Sequence, residues 1–267
     1  MKNDRSLLTF PILSVIFAIL AAVAIWAPTA IISGVLAGEP IDDNDPLYYL
    51  AGAATAYVST FIALFFNVAL AACAARSLRG EDTKVGDGVS AAAHRIVPIV
   101  GWSLVAATVG LILRWLEERA PALGRIAVWI AGAAWAIATF FVVPVIALEG
   151  SGPWRSLKRS VAIVKQRWGE GATGTVAISV VTALVVVAIV LVGGGCAFAL
   201  YATGQQPLAI AVAAVGVAAI IVVTIMSSAL TGIFRVAVYQ YAVTGETPGG
   251  FDAGLLQTAF EGQSRRR

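Results

Sequence analysis

Apolar residues fall into six long blocks, at about 7–36, 47–75, 93–114, 124–148, 173–203 and 208–243, separated by charged or Pro/Gly-rich breaks. An α-helix needs roughly 20 apolar residues to cross about 30 Å of hydrocarbon, and each block reaches that length. The run Thr175 to Val192 holds no charged residue. Stretches such as Val181 to Val192 also lack the alternating polarity of a membrane β-barrel strand. Backbone polar groups find no water in hydrocarbon, so helices must satisfy them internally. The pattern therefore predicts an all-α polytopic transmembrane bundle of about six spans, read as one integral membrane domain over residues 1–267. The first block follows Lys2 and Arg5 like a secretory signal, but it runs on through Trp26 and Pro28 to Leu36 without a polar cleavage region. It is expected to be an uncleaved first span.

Between the fourth and fifth blocks the periodicity changes. Trp154, Leu157, Val161, Val164 and Trp168 recur at steps of three and four, which places them on one helical face. Arg155, Lys158, Arg159, Lys165 and Gln166 fall mostly on the other. Pro153 suits a first helical position and Gly169 a stop. The expectation is a short amphipathic helix over about 153–168, lying in the interface. Its cations are candidate contacts for anionic lipid headgroups, each contributing on the order of 1 kcal/mol near a charged surface. The plainer alternative is a structural elbow that merely carries the positive charge of a cytoplasmic loop.

Composition sharpens this picture. Of 267 residues, 59% are hydrophobic and 12% charged, far from a soluble domain. The net charge of +3 could suggest nucleic acid, yet the cations sit at the ends of apolar blocks, so no nucleic-acid partner is expected. Lys2, Arg5, Arg76, Arg79, Lys84, Arg95, Arg155, Lys158, Arg159, Lys165, Arg167, Arg235, Arg265, Arg266 and Arg267 fall on one side. Those are 15 of the 18 Lys and Arg, against Arg114, Arg119 and Arg125 on the other. The bias predicts both termini in the cytoplasm of a prokaryotic cell membrane. Trp26, Tyr48, Tyr49, Trp115 and Tyr201 would line the outer interface, and Trp154, Trp168, Tyr239 and Tyr241 the inner one. Trp102 and Trp135 fall deeper and read as packing between helices.

Polar groups inside the blocks are few. Asn67 and Arg235 are the candidates for polar positions within the bundle; Arg235 is expected either to pair with Glu149 at the end of the fourth span or, equally, to snorkel to cytoplasmic water. Counted from Leu208, Arg235 lies about 40 Å along a straight helix, near the depth of Glu149. Asn67 is either functional or interhelical glue. Pro98 and Pro144 are expected to kink the third and fourth spans. Gly193, Gly194 and Gly195 permit close helix approach or a local break. Cys73 and Cys196 read as small packing residues. His94 is the lone histidine, and Glu117 and Glu118 fit a solvated loop better than a catalytic pair. With no Walker-type loop, GxSxG elbow or multi-His set, no catalytic residue, cofactor or metal is expected.

The motifs Phe66-Asn67-Val68-Ala69, Val143-Pro144-Val145-Ile146-Ala147-Leu148-Glu149-Gly150, Gly152-Pro153 and Arg159-Ser160 resemble a family of prokaryotic six-span membrane proteins of unknown function. Tyr241 to Gly245 and Gly250-Phe251-Asp252 fit the same picture. The chain also looks distantly like the membrane domain attached to some glycerophosphodiester phosphodiesterases. The catalytic domain of those enzymes, with its acidic metal ligands, has no counterpart in this sequence.

Two functions are compatible with these features. One is a non-enzymatic membrane protein that organises lipids, anionic ones above all, or partner proteins including copies of itself. The other is a small-molecule permease with a polar path near Asn67, Pro144 and Arg235. A weak internal similarity, Phe66-Asn67-Val68-Ala69 against Phe234-Arg235-Val236-Ala237, would set Asn67 and Arg235 in related positions of a duplicated chain.

Overall fold

A computed structural model describes residues 5–33, 46–119, 121–167 and 170–245, and every regular element among them is α-helical. In chain order these are α1 (Arg5–Ile32), α2 (Pro46–Ser77), α3 (Val85–His94), α4 (Ile96–Arg119), α5 (Ala122–Ala138), α6 (Val142–Glu149), α7 (Pro153–Arg167), α8 (Glu170–Ala202) and α9 (Gln206–Thr244). Six stretches are long and apolar enough to span a bilayer: Leu7–Ile32, Pro46–Ser77, Ile96–Arg119, Gly124–Glu149, Ile178–Ala202 and Gln206–Thr244. The fold is thus an all-α bundle.

The third and fourth spans are interrupted where the prolines require it. A proline ring collides with the carbonyl four residues earlier and brings no N–H. Pro98 would meet the carbonyl of His94, and α3 ends there, with Arg95 between α3 and α4. Pro144 would meet the carbonyl of Phe140, and the chain breaks over Thr139–Phe141. There Phe140 N–H donates to Ile137 O at 3.2 Å and Val142 N–H to Thr139 O at 3.0 Å, the tighter i to i+3 spacing of a 3₁₀ turn. Both prolines are left in the first turn of the following helix, where a missing N–H costs nothing. They start new helices, where kinks within continuous ones were expected.

The chain divides into two compact units, with the division at Gln166 and Arg167, and each is described by itself. In the first, α2 is the central helix and packs against α1, α3, α4 and α6. Val68, Ala69, Leu70, Ala71, Cys73, Ala74 and Ala75 are all buried, so the last turns of α2 are enclosed on most sides, with Ala72 and Arg76 left half-buried. Small side chains allow that closeness. Gly88 of α3 takes it furthest: a Cβ there would lie 2.5 Å from Phe10 Cζ, 2.8 Å from Cys73 Sγ and 2.9 Å from Ala69 O. Ile99, Trp102 and Ser103 of α4 and Val142, Pro144, Val145, Ile146 and Ala147 of α6 complete the core. It therefore gathers at the end of the unit where α2 turns into α3, the end that also carries Arg76, Arg79, Lys84 and Arg95.

That turn is held by charge and backbone geometry together. Gly80, at φ +82°, closes a Schellman motif in which Glu81 N–H donates to Arg76 O and Gly80 N–H to Ser77 O. Glu81 then takes Arg76 Nε and Arg79 Nε on its two oxygens, both at 2.9 Å. Hydrogen bonds from Arg76 first, then Arg79, hold the Glu81 carboxyl below the usual carboxylate range. At the opposite end Tyr48 Oη donates to Ser33 Oγ at 2.9 Å and Trp26 lies 6.3 Å from the Tyr48 ring. Trp102 and Trp135 stack at 5.8 Å, joining α4 to α5 as the packing pair expected of them. Glu117 and Glu118 belong to the exposed last turns of α4, where a loop was expected, and Glu118 accepts from Arg114 Nε at 3.0 Å.

The second unit is an antiparallel hairpin of α8 and α9, turning at Thr203 to Gln205. Thr182 Oγ1 donates to Ser227 Oγ at 2.7 Å across it. An open apolar groove of about 630 Å³ lies between the two helices, with Ala188, Gly193, Ala211 and Gly216 in its walls. The Gly193 to Gly195 run neither breaks α8 nor receives a close neighbour, since added Cβ atoms would meet nothing within 4 Å. Cys196 is exposed on α8, so of the two cysteines only Cys73 is a packing residue.

Candidate functional site

The basic amphipathic segment forms α7, starting at Pro153 as the residue pattern demanded. Trp168 and Gly169 lie outside the described residues. The helix docks, but on a different face from the apolar one. Ser156, Ser160 and Ile163 are its buried residues, one and two turns apart, while Trp154 is 63% exposed and Leu157, Val161 and Val164 are only half-buried. The reason is the break in the fourth span. Ser160 Oγ accepts a hydrogen bond from the Phe141 N–H at 3.0 Å, giving a partner to a backbone group released where α5 stops. Ser156 Oγ donates to Ser151 O at 2.9 Å and so binds α7 to its own leading turn. The apolar stripe is left on one flank of the docked face.

Three further contacts fix the corner between α6 and α7. Gly150 ends α6 at φ +65°, and its N–H donates to Ile146 O at 3.1 Å. The Arg95 guanidinium lies directly over it, where any Cβ at position 150 would collide. Gly101 of α4 receives Pro153 so closely that an added Cβ would lie 2.7 Å from Pro153 Cγ. Glu149 Oε1 accepts from Arg159 Nε at 3.1 Å, with the two side chains 31% and 46% exposed.

The sequence-chosen cations therefore divide. Arg159 is engaged with Glu149, whereas Arg155, Lys158 and Lys165 are exposed and form no ion pair among the described residues. Asn67 is half-buried and donates from Nδ2 to Ala63 O at 2.8 Å, a bond within its own helix. Pro144 is sealed in the core. Arg235 is half-buried on α9 in the second unit, so its expected pairing with Glu149 concerns residues of two units described separately. His94, exposed at the end of α3, has its Nδ1 2.7 Å from Ser90 O. Among the described residues no group of three His, Cys, Asp or Glu is placed to hold a metal ion.

Ser156, Ser160, Arg95 and Gly150 were not singled out by hydrophobic pattern. A signal for the serines existed: two serines four residues apart inside a basic helix are costly unless they serve a backbone group. Several motifs noted in the sequence belong to the first unit around this corner: the buried end of α2, the proline-started α6 with its Gly150 stop, Pro153, and Arg159-Ser160. Tyr241 to Gly245 closes α9 in the second unit, and Gly250-Phe251-Asp252 lies outside the described residues.

No curated protein and no solved structure matches the chain. One family model does match, over residues 48–250, a region that takes in the whole of this corner and extends through α8 and α9. The chain belongs to that family, DUF6159, a family of unknown function.

Proposed function

We propose that this chain is a non-enzymatic multi-pass protein of the prokaryotic cytoplasmic membrane, with both termini cytoplasmic, that organises anionic lipids or partner proteins through α7. One observation carries the reading: α7 has three faces, a serine face docked on the bundle, an apolar flank exposing Trp154, and a basic face with Arg155, Lys158 and Lys165. A helix so divided suits the headgroup layer, where an indole ring is at home and Lys or Arg meets lipid phosphate. The cytoplasmic placement rests on the 15 to 3 distribution of basic residues. The permease alternative draws less from the geometry, since Asn67 spends its amide on its own helix and Pro144 is enclosed.

The test uses the full chain, purified in mild detergent and exchanged into neutral or anionic vesicles. Wild type should retain and enrich anionic lipid in a salt-sensitive way. Replacing Arg155, Lys158, Arg159 and Lys165 by Gln should remove both effects. Equal enrichment by the two proteins would leave α7 as a structural elbow only.

A further inference from the structure

We propose that Arg95, Arg155 and Arg159 together form one phosphate-binding site at the α6–α7 corner, with Glu149 as its built-in competitor. This rests on the lipid reading of α7 and narrows it from a diffuse basic face to a defined tertiary site. Arg95 comes from the break between α3 and α4, far in sequence from α7, yet its guanidinium rests on Gly150. Arg159 reaches back from α7 to Glu149, the adjoining residue. Two guanidinium groups from separate elements thus flank two consecutive residues. Arg155 precedes Arg159 by one turn on the same side of α7 and is exposed.

The charge at this corner is incompletely matched. Arg159 meets the Glu149 carboxylate and Arg155 lies one turn from Arg159, while the side chain of Arg95, half-buried over Gly150, makes neither an ion pair nor a hydrogen bond among the described residues. Guanidinium forks suit the tetrahedral face of a phosphate, which accepts two parallel N–H bonds from each. The corner is also rigid. Gly150 at φ +65°, the Gly101–Pro153 contact and the Ser160–Phe141 hydrogen bond fix the backbone that presents the arginines. Trp154, next to Pro153, and Val97, one turn before the Gly101 that Pro153 meets, are both exposed, apolar surface suited to the glycerol and upper chain of a lipid that carries the phosphate.

Lys165 lies ten residues beyond Arg155, about 15 Å along the helix, outside such a site. That separation makes the proposal distinguishable from the diffuse reading. Full-length protein in neutral phosphatidylcholine nanodiscs would be titrated with phosphatidylglycerol, with retained lipid read by native mass spectrometry. Arg95→Gln and Arg155→Gln should each weaken binding about tenfold, as expected for a lost charged hydrogen-bonding partner, and Lys165→Gln much less. Glu149→Gln should tighten binding, because it removes the carboxylate that competes for Arg159. A gain of affinity in a variant that unfolds at the wild-type temperature cannot be put down to a lost fold, so this variant keeps the test decisive if Arg95→Gln is unstable.

Excess inorganic phosphate separates the two sources of the group. Displacement of phosphatidylglycerol supports a site open to free phosphate, and resistance to displacement supports one that holds the headgroup with its lipid. Unchanged binding in Arg95→Gln, with Lys165→Gln as harmful as Arg155→Gln, overturns the defined site and leaves the diffuse basic face. Unchanged binding in every variant overturns both.

Discussion

Replacing Ser160 by Ala should destabilise the protein more than replacing Ser156 by Ala, although both serines are fully buried on the same face of α7. The difference lies in what each hydroxyl serves. Ser160 accepts from the Phe141 N–H at 3.0 Å, at a break enclosed by the core, with Phe141 itself 4% exposed. Its removal takes the acceptor from a buried backbone donor that water reaches poorly, a loss of about 1–3 kcal/mol. Ser156 donates to Ser151 O at 2.9 Å, and a carbonyl has two lone pairs and tolerates partial satisfaction better than an N–H does. The cost there should be about 0.5–1.5 kcal/mol, the net worth of an ordinary hydrogen bond. Reversible unfolding of purified protein in mixed micelles, followed by tryptophan fluorescence as the denaturing detergent fraction rises, would measure both. Equal losses, or a larger loss for Ser156→Ala, would refute the assignment of Ser160 as the partner of the broken span.

Gly88→Ala should cost about 1–3 kcal/mol by overpacking against Phe10, Cys73 and the Ala69 carbonyl, while Gly86→Ala, with nothing within 4 Å, should be neutral or slightly stabilising in the same unfolding assay. Because the Glu81 carboxyl is held low by Arg76 and Arg79, its contribution is present above the unfolded pKa of about 4.3 and is lost as pH falls through the lowered folded value. Hydrogen exchange at the α2–α3 turn should therefore quicken in acid relative to Glu81→Gln, and parallel profiles would contradict the ion-pair account. A fluorescent reporter fused after Arg267 should be bright and an export-dependent phosphatase fused there inactive. The reverse result would overturn the cytoplasmic placement of that end.

Much of the architecture was legible because bilayer-spanning helices announce themselves through length and the absence of charge. The span Gly124–Glu149 was read at 124–148, and α7 begins at Pro153 as its missing N–H allows. Hydropathy failed where polar atoms serve backbone. The sequence was read as an α7 lying in the interface with Trp154, Leu157 and Val161 on its apolar face; its docking on the bundle through Ser156 and Ser160 was not foreseen, because it depends on the break before Pro144 leaving the Phe141 N–H in need of an acceptor. Apolar periodicity cannot register a serine used that way. The contacts of Arg95 with Gly150 and of Gly101 with Pro153 join residues more than fifty positions apart and leave no local pattern. Asn67 was visible as a polar residue in a span, but its bond to Ala63 depends on the helical geometry around it.

The uneven placement of the core has a consequence for how the first unit meets membranes of different thickness. Its helices are joined tightly where α2, α3, α4 and α6 converge, whereas toward the Trp26 and Tyr48 end Ile31, Ile32, Tyr49 and Leu50 are between 65% and 72% exposed. The 32 residues of α2 extend about 48 Å, well beyond a hydrocarbon layer of about 30 Å, so the helix has length to spare for inclination. Such an assembly adapts to a thinner or thicker bilayer by tilting its loose ends about a fixed joint, at fractions of a kcal/mol per Å of mismatch. Spin-label distances between α1 and α4 should then change with acyl-chain length near Ile31 and stay constant near Trp102.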